Sequence, residues 1–553
     1  MKQEELKHVS TFGQAVRRFL QLLSLEREEI ASIYWLAAIS GVLYLMIPLC
    51  LQAIIGFVLS GSFSTSLIIL IAAVVTAVFL NGLFEVKQLE VIEKIEQKIF
   101  LRYAFTYADQ LPKIDVQKND DYYMPELVNR FFEISTLQKS IYKLLIDIPG
   151  AALQIVLGTL LLSFYHPFFI GFGILLLFIV FMIIRITSPL GYASAVKTSD
   201  LKYKIGDWLE QISRNVKLFK LNSHLNFHLI RTDQLAIEYI QNKTDLFKIL
   251  RIQYWSMIAF KMLIFLSLLI LGVGLLLKQQ INIGQFLASD IVIIGIIASV
   301  EKFIQNFDKV YLSITSIEKL NKILNVETEQ SGQLLLAPPH KGMEIEFKQV
   351  SFSYNPSVRV LQNIDLHLAP GEWGQILGKK GSGKTSVFNL ISGSYQNFSG
   401  NILINGIPIV NYNIAELRKH MAALLQENTL IEGTLLDNIC LQQSCDVSLL
   451  TNIAEYTGLM KHISMLKDGF NTKVSAYRHS LEPALIRSVL LTRALYTQPL
   501  LLLLEDPFLD MNETESDRLI QYIKALPQKP TVLIINNNQT AYPFIDKHFL
   551  IQR

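Results

Sequence analysis

Six apolar stretches punctuate the first half of the chain, at residues 33–58, 67–84, 146–164, 168–184, 256–277 and 283–300. Each approaches the roughly 20 residues that a helix needs to cross a bilayer, and buried helices of soluble proteins rarely run so long without charge. The pattern predicts six membrane helices. Their connections alternate between short ones (59–66, 165–167, 278–282) and two long ones (85–145 and 185–255). The long loops carry most of the Lys and Arg, whereas Lys278 alone represents them in the short ones. That asymmetry places the long loops and both termini in the cytoplasm. Each long loop has room for two helical arms of about 25 to 30 residues, or about 40 Å at 1.5 Å per residue.

Ahead of the first span, Phe12, Val16, Phe19, Leu20 and Leu23 recur at helical spacing, with Arg17 and Arg18 on other faces. This is an amphipathic helix suited to the inner membrane surface, or to packing on protein. The first apolar run begins too far in, and is too long, for a cleavable signal peptide. Pro48 and Pro149 introduce kinks into their helices. Asp290, inside the sixth span, either faces a translocation path or hydrogen-bonds a neighbouring helix, since an ionisable group there is costly.

Beyond the sixth span, residues 326–342 turn polar and irregular, include Pro338 and Pro339, and read as a linker. A stretch of ordinary domain size follows, from 343 to 553. The expected organisation is an amphipathic region at 1–30, a membrane domain at 31–325, the linker at 326–342 and an α/β domain at 343–553. With 51% hydrophobic and 18% charged residues, the chain is less charged than the soluble norm of about 25%. A net charge of +3 gives no case for nucleic acid. Cys50, Cys440 and Cys445 have no metal-ligand spacing and predict no disulfide framework, which is compatible with a reducing cytosol.

The α/β stretch contains Gly378-Lys379-Lys380-Gly381-Ser382-Gly383-Lys384-Thr385, between a predicted strand at 373–377 and a helix starting near Ser386. This is a complete phosphate-binding loop. Backbone N–H groups of such a turn converge on phosphate oxygens, and the helix that follows presents its positive dipole end. Lys384 is placed to reach the β- and γ-phosphates of ATP, and the Thr385 hydroxyl to ligate Mg²⁺.

Six spans, two long loops and a P-loop domain together resemble a half-transporter of the ATP-binding cassette (ABC) exporter family. Within that family, residues 283–286 and 316–320 are similar to bacterial type I secretion exporters, here without the N-terminal peptidase domain that some carry. The resemblance implies a fold of six membrane helices followed by a P-loop NTPase domain. The tips of the two long loops, 115–130 and 206–221, are candidates for short helices that dock on that domain, or for ordinary solvated loop. The resemblance implies that Tyr354 stacks on adenine, a contact worth about 1–3 kcal/mol. It also implies that Gln426 senses Mg²⁺ and the γ-phosphate.

Several family positions are altered. Glu505 and Asp506, twelve and thirteen residues after Arg493, invert the usual Asp-Glu order. Glu505 then coordinates Mg²⁺ through water, while Asp506, as general base, is one methylene short. A misplacement of about 1 Å can lower a rate about 10²-fold. The signature segment reads Leu481-Glu482-Pro483-Ala484-Leu485, and Glu482 brings negative charge toward a partner's phosphate, where Lys379 or Lys380 could pair with it. Asn537 stands where the family has a histidine and cannot exchange a proton near neutrality. Asn512, with Asp510 nearby, replaces another family aspartate.

Two functions fit these features. One is an exporter subunit, in a homodimer or a heterodimer with another ABC half-transporter, that binds ATP and hydrolyses it weakly or with a partner's help. The other is a nucleotide-binding pseudo-ATPase that regulates or scaffolds a secretion assembly. Both imply residence in the inner membrane, contact with lipid and a cytoplasmic nucleotide domain. The type I likeness adds a periplasmic adaptor and an outer-membrane channel as implied partners.

Overall fold

The computed structural model describes residues 12–59, 61, 65–119, 124–165, 168–337, 341–355, 358–426, 429–441, 444–474, 481–537 and 540–551. These fall into two units. The first runs to Pro112 and resumes after residue 121 as far as Asn325; the second takes 113–121 and everything from Val326 onward.

The first unit is helical: α1 (Phe12–Leu23), α2 (Arg27–Leu59), α3 (Thr65–Gln110), α4 (Met124–Asn129), α5 (Glu133–Tyr142), α6 (Ile148–Tyr165), α7 (Phe168–Arg214), α8 (Val216–Leu221), α9 (Phe227–Leu277), α10 (Ile283–Gln305) and α11 (Phe307–Lys322). Five helical stretches among the described residues are long and apolar enough to cross a membrane. The remaining predicted span, 168–184, forms the first part of the 47-residue α7. Helices α3, α7 and α9 have 46, 47 and 51 residues. That is about 70–75 Å each, more than twice the roughly 30 Å hydrocarbon layer, so each continues far beyond its apolar half.

Periodicity explains how these arms pack. On α3, Ile92, Ile95, Ile99, Tyr103 and Tyr107 recur every three or four residues and are all buried. In the apolar region α10 is central: Ile293, Ile296, Ile297 and Val300 bury against Ile155 and Leu162 of α6 and Met257, Phe260 and Ile264 of α9. A buried carboxylate with a half-exposed ionic partner braces the arms. Glu133 accepts hydrogen bonds from Lys202, from Tyr203 Oη at 2.8 Å and from Ser316 Oγ at 2.7 Å.

The predicted amphipathic helix forms as α1. Val16 packs on the cluster of Tyr192, Val196 and Tyr311 while Leu20 remains 57% exposed, so one edge lies on protein and the other is uncovered. Of the tip at 206–221, residues 206–214 continue α7, which runs on through Pro189 and Gly206, and only α8 stands apart. Residues 120–123 of the other tip, and Pro338 with Pro339, lie outside the described residues.

The second unit contains β1 (Ile345–Asn355), β2 (Val358–Leu368), β3 (Trp373–Leu377), α12 (Lys384–Ile391), β4 (Phe398–Ile404), β5 (Ile407–Pro408), α13 (Ile414–Arg418), β6 (Met421–Leu424), β7 (Gly433–Thr434), α14 (Leu435–Cys440), α15 (Val447–Tyr456), α16 (Leu459–Ile463), β8 (Lys473–Val474), α17 (Pro483–Tyr496), β9 (Leu501–Glu505), α18 (Glu513–Ala525), β10 (Thr531–Ile535) and β11 (Lys547–Leu550). A parallel sheet in the order β11-β3-β10-β9-β6 forms the centre, beside an antiparallel sheet ordered β2-β1-β4-β5. Strands β9 and β10 are buried at every position, as continuous apolar runs in a parallel sheet require.

The linker is bound along this unit. Arg418 Nη1 and Nη2 grip Glu329 at 2.7 and 2.8 Å, and Gly332 N donates to Tyr412 O at 2.9 Å. A Cβ at Gly332 would fall 2.1 Å from Asn411 O, so only glycine fits. Residues 113–119 join the same edge: Asp115 N donates to Glu327 O at 3.0 Å, Asn119 Nδ2 to Glu327 O at 3.1 Å, and Asn397 N to Gln117 Oε1 at 3.2 Å.

The cysteine expectation is corrected, because Cys440 and Cys445 form a disulfide with their Cα atoms 5.8 Å apart. After α14, Leu441 adopts a left-handed conformation (φ 49°) and turns the chain back on itself. Asp290 is half-buried on α10 and has no hydrogen-bond or ionic partner among the described residues.

Candidate nucleotide site

Four adjacent parallel strands, β3, β10, β9 and β6, deliver the predicted residues at their carboxyl ends, where open α/β sheets bind ligands. Leu377 leads into the glycine-rich loop, Ile535 precedes Asn537 by two residues, Glu505 ends β9, and Leu424 precedes Gln426 by two residues. Registers between neighbours are level, with Ile535 opposite both Glu505 and Ile376. The chemistry-bearing side chains thus gather at one edge.

The loop has the geometry expected of an anion cradle. Gly383 caps α12 with φ 96°, and a Cβ there would meet Val360 Cγ1 at 2.7 Å, so glycine is required on two counts. Lys384 is buried and folds back to donate to Gly378 O at 2.9 Å and Lys379 O at 3.1 Å. Burial holds its ammonium below the usual lysine range, and the carboxylates of Asp506 and Glu505 offset part of that shift. Ser382 Oγ is buried with no hydrogen-bond partner among the described residues, which fits a hydroxyl that would meet a phosphate oxygen. Lys379, Lys380 and Gly381 are exposed at the rim.

Beside the loop, Thr385 Oγ1 donates to Glu505 Oε1 at 3.5 Å, and Gln426 N donates to Glu505 Oε2 at 3.2 Å. A hydroxyl and a carboxylate so close are the hard oxygen donors that suit Mg²⁺. Tyr354 is the penultimate residue of β1, is 42% exposed, and bonds through its hydroxyl to Ser386 Oγ at 2.8 Å. Tyr395 meets its ring edge-on at 5.4 Å. A ring tethered in this way presents a ready stacking face.

Asp506 has φ 47°, an uncommon conformation for a non-glycine residue that turns the chain sharply off β9. Its Oδ1 accepts from Asn537 N at 2.9 Å, and its Oδ2 accepts from Asn537 Nδ2 at 2.6 Å and Gln426 Nε2 at 3.2 Å. The site therefore brings together all four residues read as catalytic or metal-sensing: Gln426, Glu505, Asp506 and Asn537.

One participant escaped sequence reasoning. Arg487 Nη1 donates to Asp506 O at 2.9 Å while its Nε faces Asp510 at 3.2 Å. An arginine in the helix after the altered signature is the only local hint. Asp510 is thereby occupied within the chain, and Asn512 serves as the N-cap of α18 in a reciprocal pair with Glu515. In the altered signature, Pro483 is the first residue of α17 and fits there, since its missing N–H is unused in that turn. Glu482 is largely exposed and its side chain makes no capping hydrogen bond, its carboxylate lying 3.7 Å from His462 Nδ1. Asn538 lies outside the described residues.

Comparison with known proteins agrees with this arrangement. Residues 361–509 match the ABC transporter family. Over 288 residues, 51% of this chain, the sequence is 28% identical to the alpha-hemolysin translocation ATP-binding protein of Proteus vulgaris and 27% identical to the leukotoxin translocation ATP-binding protein of Mannheimia haemolytica. The match spans 40% of the length of each of these relatives. A solved bacterial Atm1-family ABC exporter with ATP bound superimposes with a TM-score of 0.80 at 15% identity, covering 93% of this chain and 91% of that one. The chain is a multi-pass membrane protein with the architecture of an ABC half-transporter, its exporter-type helical unit joined to an ATP-binding ABC domain.

Proposed function

We propose that the chain is an exporter subunit that binds Mg-ATP between Tyr354 and Lys384 and hydrolyses it slowly, or at a useful rate only beside a competent partner subunit. In this reading Lys384 and the loop from Gly378 to Ser386 hold the phosphates. Thr385, Glu505 and Gln426 attend the metal, and Asp506 is the base. The observation that carries it is the Asp506 carboxylate, shortened relative to glutamate and hydrogen-bonded to Asn537 and Gln426. An asparagine offers no proton acceptor near neutrality to relieve it.

A dimer with the nucleotide domain in the cytoplasm fits this role. The relatives are named as toxin translocation proteins, so secretion of a polypeptide through an adaptor and an outer-membrane channel is the matching cargo route. A second reading, a nucleotide-binding regulator without turnover, draws support from the exposed Glu482 in the altered signature.

Phosphate release tests the choice, measured for the purified chain alone and when mixed with a competent ABC half-transporter. Release that appears with the partner and vanishes on Lys384→Ala supports the exporter. ATP binding with no release in either setting favours the regulator.

A further inference from the structure

Helices α2, α6 and α10 border a small cavity of about 70 Å³, lined by Tyr44, Pro48, Gln154, Gly158, Ile291 and Ile296 among others. Tyr44, Gln154 and Ile291 each fall near the middle of a predicted span, at 33–58, 146–164 and 283–300. This is the depth at which water is scarcest and an unmet hydrogen-bonding group is most costly. Yet polar groups converge here. A Cβ at Gly295 would lie 3.4 Å from Tyr44 Oη and 3.5 Å from Gln154 Nε2. Neither side chain has a hydrogen-bond partner among the described residues.

A third group joins them. Pro48 lies inside α2 and has no N–H, so the carbonyl of Tyr44, four residues earlier, loses its intrahelical donor. The cavity lining therefore includes a primary amide and a phenol, the latter on a helix that also carries one main-chain carbonyl released from its helical bond. The rest is aliphatic, and a Cβ at Gly158 would meet Ile296 Cγ1 at 2.9 Å, so α6 and α10 approach closely along that wall. No Asp, Glu, Lys or Arg lines the cavity among the described residues.

We propose that this cavity binds a small neutral amphiphile drawn from the membrane, whose head both donates and accepts hydrogen bonds and whose short apolar body lies against Ile291 and Ile296. The head class follows from the donor set: Gln154 offers both donor and acceptor, while the freed Tyr44 carbonyl only accepts. Neutrality follows from the uncharged lining at a depth where an unpaired ion is penalised. The site belongs wholly to the membrane unit and does not depend on ATP hydrolysis.

Octanamide is a direct probe. The full chain is placed in lipid nanodiscs and titrated calorimetrically, with protein-free nanodiscs as the blank for partitioning. The expected result is saturable binding above the blank that weakens at least tenfold in Gln154→Leu and in Tyr44→Phe, is lost in Gly295→Leu, and is at least tenfold weaker for octanoate than for octanamide. ATP binding in the same samples reports whether each variant is folded. Uptake no greater than the blank, binding unchanged in both Gln154→Leu and Tyr44→Phe, or equal binding of octanoate would each overturn the proposal.

Discussion

Asn537 holds Asp506 from two directions, its backbone N–H 2.9 Å from one carboxylate oxygen and its Nδ2 2.6 Å from the other. A water positioned for attack must compete with these donors and reach a base one methylene too short. The double variant Asp506→Glu/Asn537→His is expected to release phosphate at least about tenfold faster than the unmodified chain, since a reach error near 1 Å can cost about 10²-fold. An unchanged rate in a colorimetric phosphate assay would place the limiting defect elsewhere.

Lys384→Ala removes the buried ammonium between Gly378 O and Lys379 O. Charge-assisted hydrogen bonds contribute about 1.5–3 kcal/mol each, so ATP affinity is expected to fall about 100-fold or more. Titration calorimetry on the solubilised protein measures this directly. A small loss of thermal stability should accompany it, because the loop carbonyls lose their donor.

The same lysine predicts a pH effect. Burial depresses its folded value below that of the unfolded chain. Between the two values the unfolded state binds more protons, so the stability of the nucleotide-free protein rises with pH in the alkaline window just below the ordinary lysine value. Bound phosphates favour the ammonium, so ATP binding in that window should take up a proton and weaken as pH rises. Binding enthalpies measured in two buffers of different ionisation heat report the proton uptake, and a null difference would contradict it.

Glu482 occupies the N-cap of α17 without capping it. Glu482→Ser supplies an oxygen suited to the free N–H groups of that turn and is expected to stabilise the chain by about 0.5–2 kcal/mol, read from chemical denaturation. In a closed ATP dimer the effect should be larger. Removing a like charge about 4 Å from phosphate relieves roughly 4 kcal/mol at an effective dielectric of 20. Dimer formation with and without ATP, followed by light scattering, separates the two contributions.

Glu133 is 4% exposed and takes Lys202 as its ionic partner. Lys202→Met leaves the buried carboxylate with only Ser316 and Tyr203, and about 1–3 kcal/mol of stability should be lost. That is less than for a fully buried pair, since Lys202 is half exposed. A thermal melt in detergent checks it, and the double variant with Glu133→Gln should recover part of the loss.

The membrane helices and the P-loop were legible because each depends on a local pattern: a long uncharged run, or glycines and a lysine at fixed spacing between a strand and a helix. The carboxyl ends of β9 and β10 were legible for the same reason, since Glu505 and Asn537 follow uninterrupted apolar strands. Where the helices stop was less clear, as α3, α7 and α9 stay helical well past their apolar halves and hydropathy marks only the bilayer edge. Features set by distant pairing left no local trace. Arg418 reaches Glu329 across 89 residues to pin the linker, and Arg487 reaches a main-chain carbonyl at Asp506. The Cys440–Cys445 bond lies beside a left-handed Leu441, a conformation that leucine rarely adopts and composition does not announce.

The border of the second unit also has an order of assembly built into it. Residues 113–119 leave the ribosome early, while Glu327, the acceptor for Asn119, lies 208 positions later. Asp115 and Asn119 therefore wait, with their partners not yet synthesised, until nearly the whole membrane unit has emerged. An excised domain beginning at Val326 would never receive them: Glu327 O would lose two donors and Glu329 N its acceptor at Lys113 O. Supplying residues 113–119 as a separate peptide would restore that seam in trans.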